Sequence, residues 1–114
     1  MVFSNREFKY PDEIFWIKAS IIDAPLETSE VAQLSGSTVT AKDKAGTDCS
    51  TTLLDQSTIA ITDTPDRDSS TDTALAIRVR AGTAALSPYT ITFKVATTEG
   101  QVFMVQQQMN VKTV

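Results

Sequence analysis

The sequence contains no histidine, and this absence excludes more chemistry than any other feature of the composition. Histidine is the commonest general base at neutral pH and the commonest metal ligand in proteins. Without it a serine–histidine–aspartate triad is impossible, and nothing in the chain suggests a serine–lysine dyad. We therefore expect a protein that is not an enzyme and that uses no cofactor.

Cysteine is nearly absent as well, since Cys49 is the single thiol of the chain. One cysteine allows no internal disulfide, so the fold must depend on packing and on strand pairing. Cys49 also lacks a histidine or a neighbouring basic cluster that would activate it as a nucleophile. We interpret it as a small buried or half-buried side chain.

Two further absences concern the partners of the chain. No apolar run approaches the roughly 18 residues that cross a bilayer, and the first residues lack the basic-then-apolar order of a signal peptide. We therefore expect no membrane partner and synthesis in a cytosol. The 10 lysines and arginines are outnumbered by 14 acidic residues and are scattered along the chain, which argues against a nucleic-acid partner.

The clearest pattern that the chain does contain is a β-hairpin between Pro88 and Val111. Tyr89, Ile91, Phe93 and Val95 alternate with polar residues, as they do in a half-buried strand. A turn at 97–100, with Gly100 able to take a positive φ, joins this strand to a second alternating run. In that run Phe103, Val105, Met109 and Val111 share the apolar parity, and only Gln107 interrupts it.

Shorter segments earlier in the chain also favour strands. Residues 14–22 form an aromatic and β-branched run, in which parity leaves open whether Trp16 or its neighbours Phe15 and Ile17 face the core. The segments 37–42 and 47–54 flank a turn at 43–46, which predicts a second hairpin. Ile59 and Ile61 share one face of a further strand, and residues 74–81 place Leu75, Ile77 and Val79 inward and Arg78 and Arg80 outward.

These segments together indicate the fold class. About six or seven short strands, with turns at intervals of roughly a dozen residues, are typical of an all-β sandwich. No helix able to cross between parallel strands is apparent, which favours antiparallel pairing with Greek-key connections. At 114 residues, the chain is predicted to form one domain that spans residues 1–114.

A polar segment at 63–72 carries the densest group of carboxylates, Asp63, Asp66, Asp68 and Asp72. Carboxylate oxygens suit calcium, but the spacing lacks the glycine and the glutamate of an EF-hand loop. We interpret the segment as a solvated loop partly neutralised by Arg67, with cation binding as the alternative.

Two groups of residues are candidates for an interface. Arg78 and Arg80 share a strand face from which they would bind phosphate or carboxylate, or would simply be solvated. On the last strand, the outward residues Val102, Met104, Gln106 and Gln108 are candidates for binding a partner. The alternative for Val102 and Met104 is that the N-terminal segment covers them, and the alternative for the glutamines is a plain exposed strand edge. Gln107 has the apolar parity, so its amide must find hydrogen bonds or mark an unsealed part of that face.

Three segments carry a resemblance to a known family. They are Lys9-Tyr10-Pro11-Asp12-Glu13 before the aromatic strand, Val39-Thr40-Ala41-Lys42-Asp43 followed by Gly46-Thr47-Asp48, and Ser87-Pro88-Tyr89-Thr90-Ile91-Thr92 leading to Thr97-Thr98-Glu99-Gly100. In this order the chain, from about Lys9 to Val111, resembles the small immunoglobulin-like virion proteins of tailed bacteriophages, the fibre and tail adaptor or minor structural group. The family tends to carry an Asp-Trp pair late in its first core strand, whereas Trp16 here follows Phe15.

The resemblance implies an immunoglobulin-like sandwich of about seven strands and a structural role. It implies a building block of a phage or prophage particle, assembled in the host bacterial cytoplasm and bound to other virion proteins in the tail, connector or fibre region. Homo-oligomerisation is an open alternative for its assembly. An immunoglobulin-like module of a bacterial surface, used in adhesion or carbohydrate binding, is the second hypothesis.

Overall fold

A computed structural model describes residues 6–21, 24–27, 29–62 and 73–112. The described residues form seven strands: β1 Phe8–Lys9, β2 Phe15–Ser20, β3 Ala32–Lys42, β4 Leu54–Thr62, β5 Ala74–Val79, β6 Tyr89–Thr97 and β7 Val102–Val111. A single 3-10 turn, Ala84–Leu86, precedes β6. The all-β class predicted from the sequence is therefore confirmed.

The strands form two sheets that pack as a sandwich. One sheet has four strands in the order β1-β7-β6-β3, and the other has three in the order β2-β5-β4. Every neighbouring pair is antiparallel except β1 and β7, which run parallel over the two residues of β1. The predicted antiparallel sandwich is confirmed, with this one parallel pair as a departure.

The predicted hairpin is the centre of the four-stranded sheet. β6 and β7 pair from Tyr89 opposite Met109 to Ala96 opposite Val102. The amide of Thr97 donates to the carbonyl of Gln101 at 2.9 Å and closes the turn. The strand alternation in this part of the sequence therefore predicted both the strands and their pairing.

The core lies between the inward faces of the two sheets. Its fully buried apolar side chains include Ile17, Leu75, Ile77 and Val79 from the three-stranded sheet and Val39, Ile91, Phe93 and Met109 from the four-stranded sheet. On β2 it is therefore Ile17 that faces the core, and Trp16 lies on the outer face, where the Arg78 guanidinium lies 5.8 Å from its ring centroid. This decides the question that parity left open.

The predicted second hairpin is wrong. β3 ends at Lys42, and only one isolated bridge, between Lys42 and Asp48, joins it to the residues that follow the turn. The chain then crosses to the other sheet, where β4 pairs with β5. Leu53 and Leu54 are fully buried there, and this burial outweighs the local preference of the segment for a strand next to β3.

Candidate functional site

Four of the residues predicted to form an interface lie in one row along β7. Val102 and Met104 are 50% and 64% exposed, and Gln106 and Gln108 are exposed too, on the outer face of the four-stranded sheet. Successive residues of the row are two positions apart, so their side chains share one face. Gln106 also contacts β6, where its side-chain amide donates to the Thr92 hydroxyl at 3.3 Å.

The main chain of the same residues faces the edge of the sheet. The backbone amides of Asn110 and Lys112 donate to the backbone carbonyls of Glu7 and Lys9, on the side of β7 away from β6. Backbone groups of alternate residues point to alternate sides of a strand, so the even-numbered residues from Val102 to Gln108 also point away from β6. Within the described part of the chain β7 has no strand partner at this position, because β1 pairs only with Asn110 and Val111.

The side chains of β7 do nothing to guard this edge. From Val102 to Val111 the strand contains no charged residue, no proline and no glycine. Natural proteins protect exposed edges with lysine, proline, bulges or covering loops, because an open row of amides and carbonyls is a template for another strand. The edge of β7 therefore has the composition of a strand that accepts a partner.

The opposite edge of the same sheet, formed by β3, is protected, in contrast to the edge of β7. On β3 the Ala41 amide donates to the Ser50 hydroxyl at 2.9 Å, and the Ala41 carbonyl accepts from the Cys49 amide at 2.9 Å. The Gln56 side chain donates to the Val39 carbonyl at 2.8 Å. A bulge or register shift between residues 33 and 38 adds to this protection. The β3–β4 connection thus occupies the edge groups that β7 leaves open.

Gln107, the residue that interrupts the apolar parity, is explained by a contact outside the hairpin. Its side-chain amide donates to the backbone carbonyl of Arg6 at 3.1 Å. A cleft of about 440 Å³ lies beside it, between β2 and β7, and Ala19, Phe93 and Val105 contribute to its lining. The cleft adjoins β7 at residues 105–108, and Gln107 satisfies its hydrogen bond through the segment before β1.

The other two predicted interface residues lie on the opposite side of the sandwich. Arg78 and Arg80 point from the outer face of the three-stranded sheet, and each has a guanidinium nitrogen 3.8 Å from a carboxylate oxygen of Asp55. Arg80 also donates to the Thr51 carbonyl at 2.7 Å. The structure therefore does not bring these arginines together with the β7 residues, and it binds them to the protein's own acceptors.

The pKa of Asp55 reflects these surroundings. The hydrogen bond from the Ser57 hydroxyl, with smaller contributions from the Ser57 amide and from the charges of Arg80 and Arg78, holds the pKa of Asp55 below its ordinary value. Asp55 is therefore ionised at neutral pH and balances part of the arginine charge. A partner anion would have to compete with it for both guanidinium groups.

A buried polar cluster near the β6–β7 turn was not predicted from the sequence. Glu30 is fully buried, and its carboxylate accepts hydrogen bonds from the Thr97 hydroxyl, from the Gln101 side chain at 2.8 Å and from the Glu27 amide at 2.7 Å. Burial by itself raises the pKa of Glu30, but these hydrogen bonds outweigh it, and the pKa lies below its ordinary value. The cluster connects the β2–β3 connection to the β6–β7 turn through hydrogen bonds. In the sequence, a single glutamate before a strand was the only indication of it.

A second unpredicted feature is the buried lysine of β1. Lys9 is fully buried, and its ammonium donates to the carbonyls of Tyr10 and Pro11 at 2.9 and 3.0 Å. Burial lowers the pKa of Lys9, and the charges of Glu13 and Asp12 oppose this effect. These contacts close the turn after β1 on the side chain of Lys9.

Among the described residues, Cys49 is the remaining candidate. Cys49 is half-buried, and burial, with the charges of Asp43 and Asp48, raises the pKa of its thiol. No group of three or more acidic, cysteine or histidine residues that would hold a metal ion occurs among the described residues. The four aspartates of residues 63–72 lie outside the described residues.

Comparison with known proteins gives no relative on which to base an assignment. No family model, no curated protein and no solved structure matches the chain. In the described ranges, no helix has the length and apolar character needed to span a membrane.

Proposed function

We propose that this chain is a non-enzymatic structural protein of a phage or prophage virion. In this role it is an immunoglobulin-like module that joins other virion proteins in the tail, connector or fibre region, and it assembles in the host bacterial cytoplasm. The observation that carries the proposal is the open and unguarded edge of β7, which offers main-chain hydrogen bonds to another protein.

The strand order supports the immunoglobulin-like part of the proposal. In immunoglobulin constant domains one sheet contains strands B, E and D and the other contains C, F and G. Here β2-β5-β4 and β3-β6-β7 take those places in the same chain order. The first strand departs from this arrangement, because strand A of a constant domain joins the sheet of strands B, E and D, whereas β1 lies beside β7.

A corner before β6 gives independent support. The Tyr89 hydroxyl accepts a hydrogen bond from the Thr83 amide at 3.0 Å, six residues upstream. Immunoglobulin-like domains carry a tyrosine near the start of strand F whose hydroxyl bonds to the backbone in this way. Tyr89 is buried and takes the corresponding position at the start of β6.

The mode of binding follows from the β7 edge. A partner strand laid against Val102 to Gln108 would receive main-chain hydrogen bonds and extend the sheet, which is a recurrent mode of peptide and subunit recognition. Main-chain bonds supply the affinity, and the exposed side chains of Val102 and Met104 supply apolar contact. This is a function of assembly that requires no reactive side chain.

The surface-adhesion hypothesis has less support from the structure. Carbohydrate sites commonly present an aromatic ring to the sugar, and Trp16 is the aromatic side chain on the outer face of the three-stranded sheet. Its ring already has the Arg78 guanidinium against it. The outer face of β7 presents methionine, valine and amides in place of rings.

Mass spectrometry of gradient-purified particles from an induced lysogen or infected host tests the proposal. We expect the chain in the particle fraction at a copy number comparable with that of other minor structural proteins. A replication protein encoded by the same genome serves as the matched control and should be lost on purification. Recovery of the chain in the cell-envelope fraction, with none in the particles, would contradict the proposal and favour adhesion.

A further inference from the structure

We infer that the edge of β7 pairs with the edge of β7 from a second copy of this chain. The two strands would run antiparallel about a two-fold axis at Met104 and join two four-stranded sheets into one continuous sheet. This inference rests on the proposed function and deepens it, because it names the partner of the assembly surface and the register of the contact.

The position of β1 limits where the axis can lie. The hydrogen bond from the Asn110 amide to Glu7 marks the point at which β1 takes over the edge. Among the described residues, the open length therefore runs from Val102 to Gln108, and an antiparallel copy fits within it only if the axis lies no further along than Val105. A pairing centred at Met104 meets this limit and keeps the partner strand clear of β1.

The side chains along this row are suited to a copy of themselves. With the axis at Met104, the two Met104 side chains lie opposite each other, and Val102 of each copy lies opposite Gln106 of the other. Met104 is the most exposed large apolar side chain of the described residues, at 64%, and the contact would cover it. Isologous pairing thus buries apolar surface at the centre and leaves amides towards the ends.

Charge also favours a second copy at this surface. The chain carries a net charge of -4, so two copies repel each other over most of their surfaces. β7 has no charged side chain, and Lys94 of β6 lies opposite Met104 within the sheet. Residues 102–106 of the two copies can therefore approach each other without opposed carboxylates.

Cysteine cross-linking tests the partner and the register together. In a Cys49→Ser background, the variants Met104→Cys, Gln106→Cys and Gln108→Cys each place one thiol along the row. Opposed residues of a hydrogen-bonded antiparallel pair have Cα atoms about 5.5 Å apart, which suits a disulfide. We expect Met104→Cys to form the covalent dimer about tenfold faster than Gln108→Cys under mild oxidation, because only residue 104 meets its own copy.

Light scattering after size exclusion tests the association without cross-linking. Met104→Lys would bring two ammonium groups together on the axis, and we expect it to raise the dimer dissociation constant about tenfold or more. The matched control is Thr92→Lys, which adds the same charge to the same face on β6, one strand from the edge. The control should change the dissociation constant by less than about threefold, since three strand spacings, about 14 Å, would separate the two added charges, which is more than a Debye length.

Several results would overturn the inference. They are a purified chain that stays monomeric as its concentration rises, equal cross-linking at residues 104 and 108, and equal effects of the two lysine variants. Occupation of the edge by a different protein or a different segment would give the first of these results. A monomeric chain that is found in purified particles would contradict this inference but leave the proposed function standing. A dimeric chain that is absent from particles would contradict the proposed function but leave this inference standing.

Discussion

At the scale of single residues, the buried polar side chains near the β6–β7 turn are hydrogen-bonded to one another. Glu30 and Thr97 are both buried, and they bond to each other and to Gln101 across the base of the β6–β7 turn. A buried polar group that loses its partner keeps the cost of its desolvation, so the members of such a cluster depend on one another. The turn that orients β7 is therefore held by side chains as well as by the ladder.

Replacement of Thr97 by valine should expose this dependence. The Thr97→Val variant keeps the volume of the side chain but removes the hydroxyl that donates to Glu30 and accepts from the Gln101 amide. We expect the free energy of unfolding to fall by about 1 to 3 kcal/mol, measured by urea denaturation. Thr92→Val on the outer face of the same strand is the control and should stay within about 0.5 kcal/mol.

The pH dependence of stability should carry the signature of Glu30. The fold lowers its pKa below the ordinary value of 4.5, so the native state favours the ionised carboxylate. Its contribution is therefore complete above pH 4.5 and is lost as the pH falls through the lowered native pKa. The Glu30→Gln variant removes this titration and leaves the other carboxylates in place.

The measurement is the difference in unfolding free energy between the natural chain and Glu30→Gln from pH 7 to pH 2.5, by denaturant titration at each pH. We expect a difference that is constant near neutrality and shrinks as the solution becomes acidic. A difference that grows towards low pH would show that the native state favours the protonated form of Glu30. That result would contradict the hydrogen-bond assignment.

At the scale of strands, the alternation of apolar and polar residues predicted the pairing of strands that are close together in sequence. The β6–β7 hairpin followed from its two-residue period, because one face of each strand is buried and the turn is short. The predicted hairpin between residues 37 and 54 was wrong because residues 47–53 form turns of the β3–β4 connection, and the next strand, β4, lies in the other sheet. A crossing connection and a hairpin loop look alike locally, and only the burial of Leu53 and Leu54 across the sandwich separates them.

The candidate site on β7 was also predictable from the sequence only in part. Alternation placed Val102, Met104, Gln106 and Gln108 on an outer face, but the openness of the edge depends on where β1 stops pairing with β7. The contact that satisfies Gln107 lies about a hundred residues away in sequence, at Arg6, so no local pattern contains it. Long-range pairing is the part that sequence periodicity leaves undetermined.

The connection before β6 makes a prediction at this scale. Gly82 has a φ of +126°, and an added Cβ would lie 3.0 Å from Val111 and 3.1 Å from Leu53. We expect Gly82→Ala to cost about 2 to 4 kcal/mol of unfolding free energy, since backbone strain and overpacking act together. Gly46→Ala is the matched control, because its φ is also positive but nothing lies within 4 Å, and it should cost about 1 to 2 kcal/mol. Equal losses would contradict the close packing at this corner.

At the scale of the whole molecule, the two edges of the four-stranded sheet are treated differently. The edge of β3 is occupied by Ser50, Cys49 and Gln56, whereas the edge of β7, as far as the structure describes the chain, is open along an uncharged strand. An open edge is a hazard for a protein that works alone, because it invites aggregation, but it is an asset for a protein that assembles. The asymmetry of the sheet is therefore the main physical support for a role in assembly.

Hydrogen exchange of the β7 amides, followed residue by residue by NMR, tests this account most directly. In the dilute chain we expect the amides of Phe103, Val105 and Gln107, which face β6, to be protected, while those of Met104, Gln106 and Gln108 exchange quickly. At concentrations where the chain associates, the second set should become protected and the alternation should disappear. Protection of all six amides in the dilute monomer, or rapid exchange of the second set in the assembled form, would contradict the claim that this edge is the assembly surface.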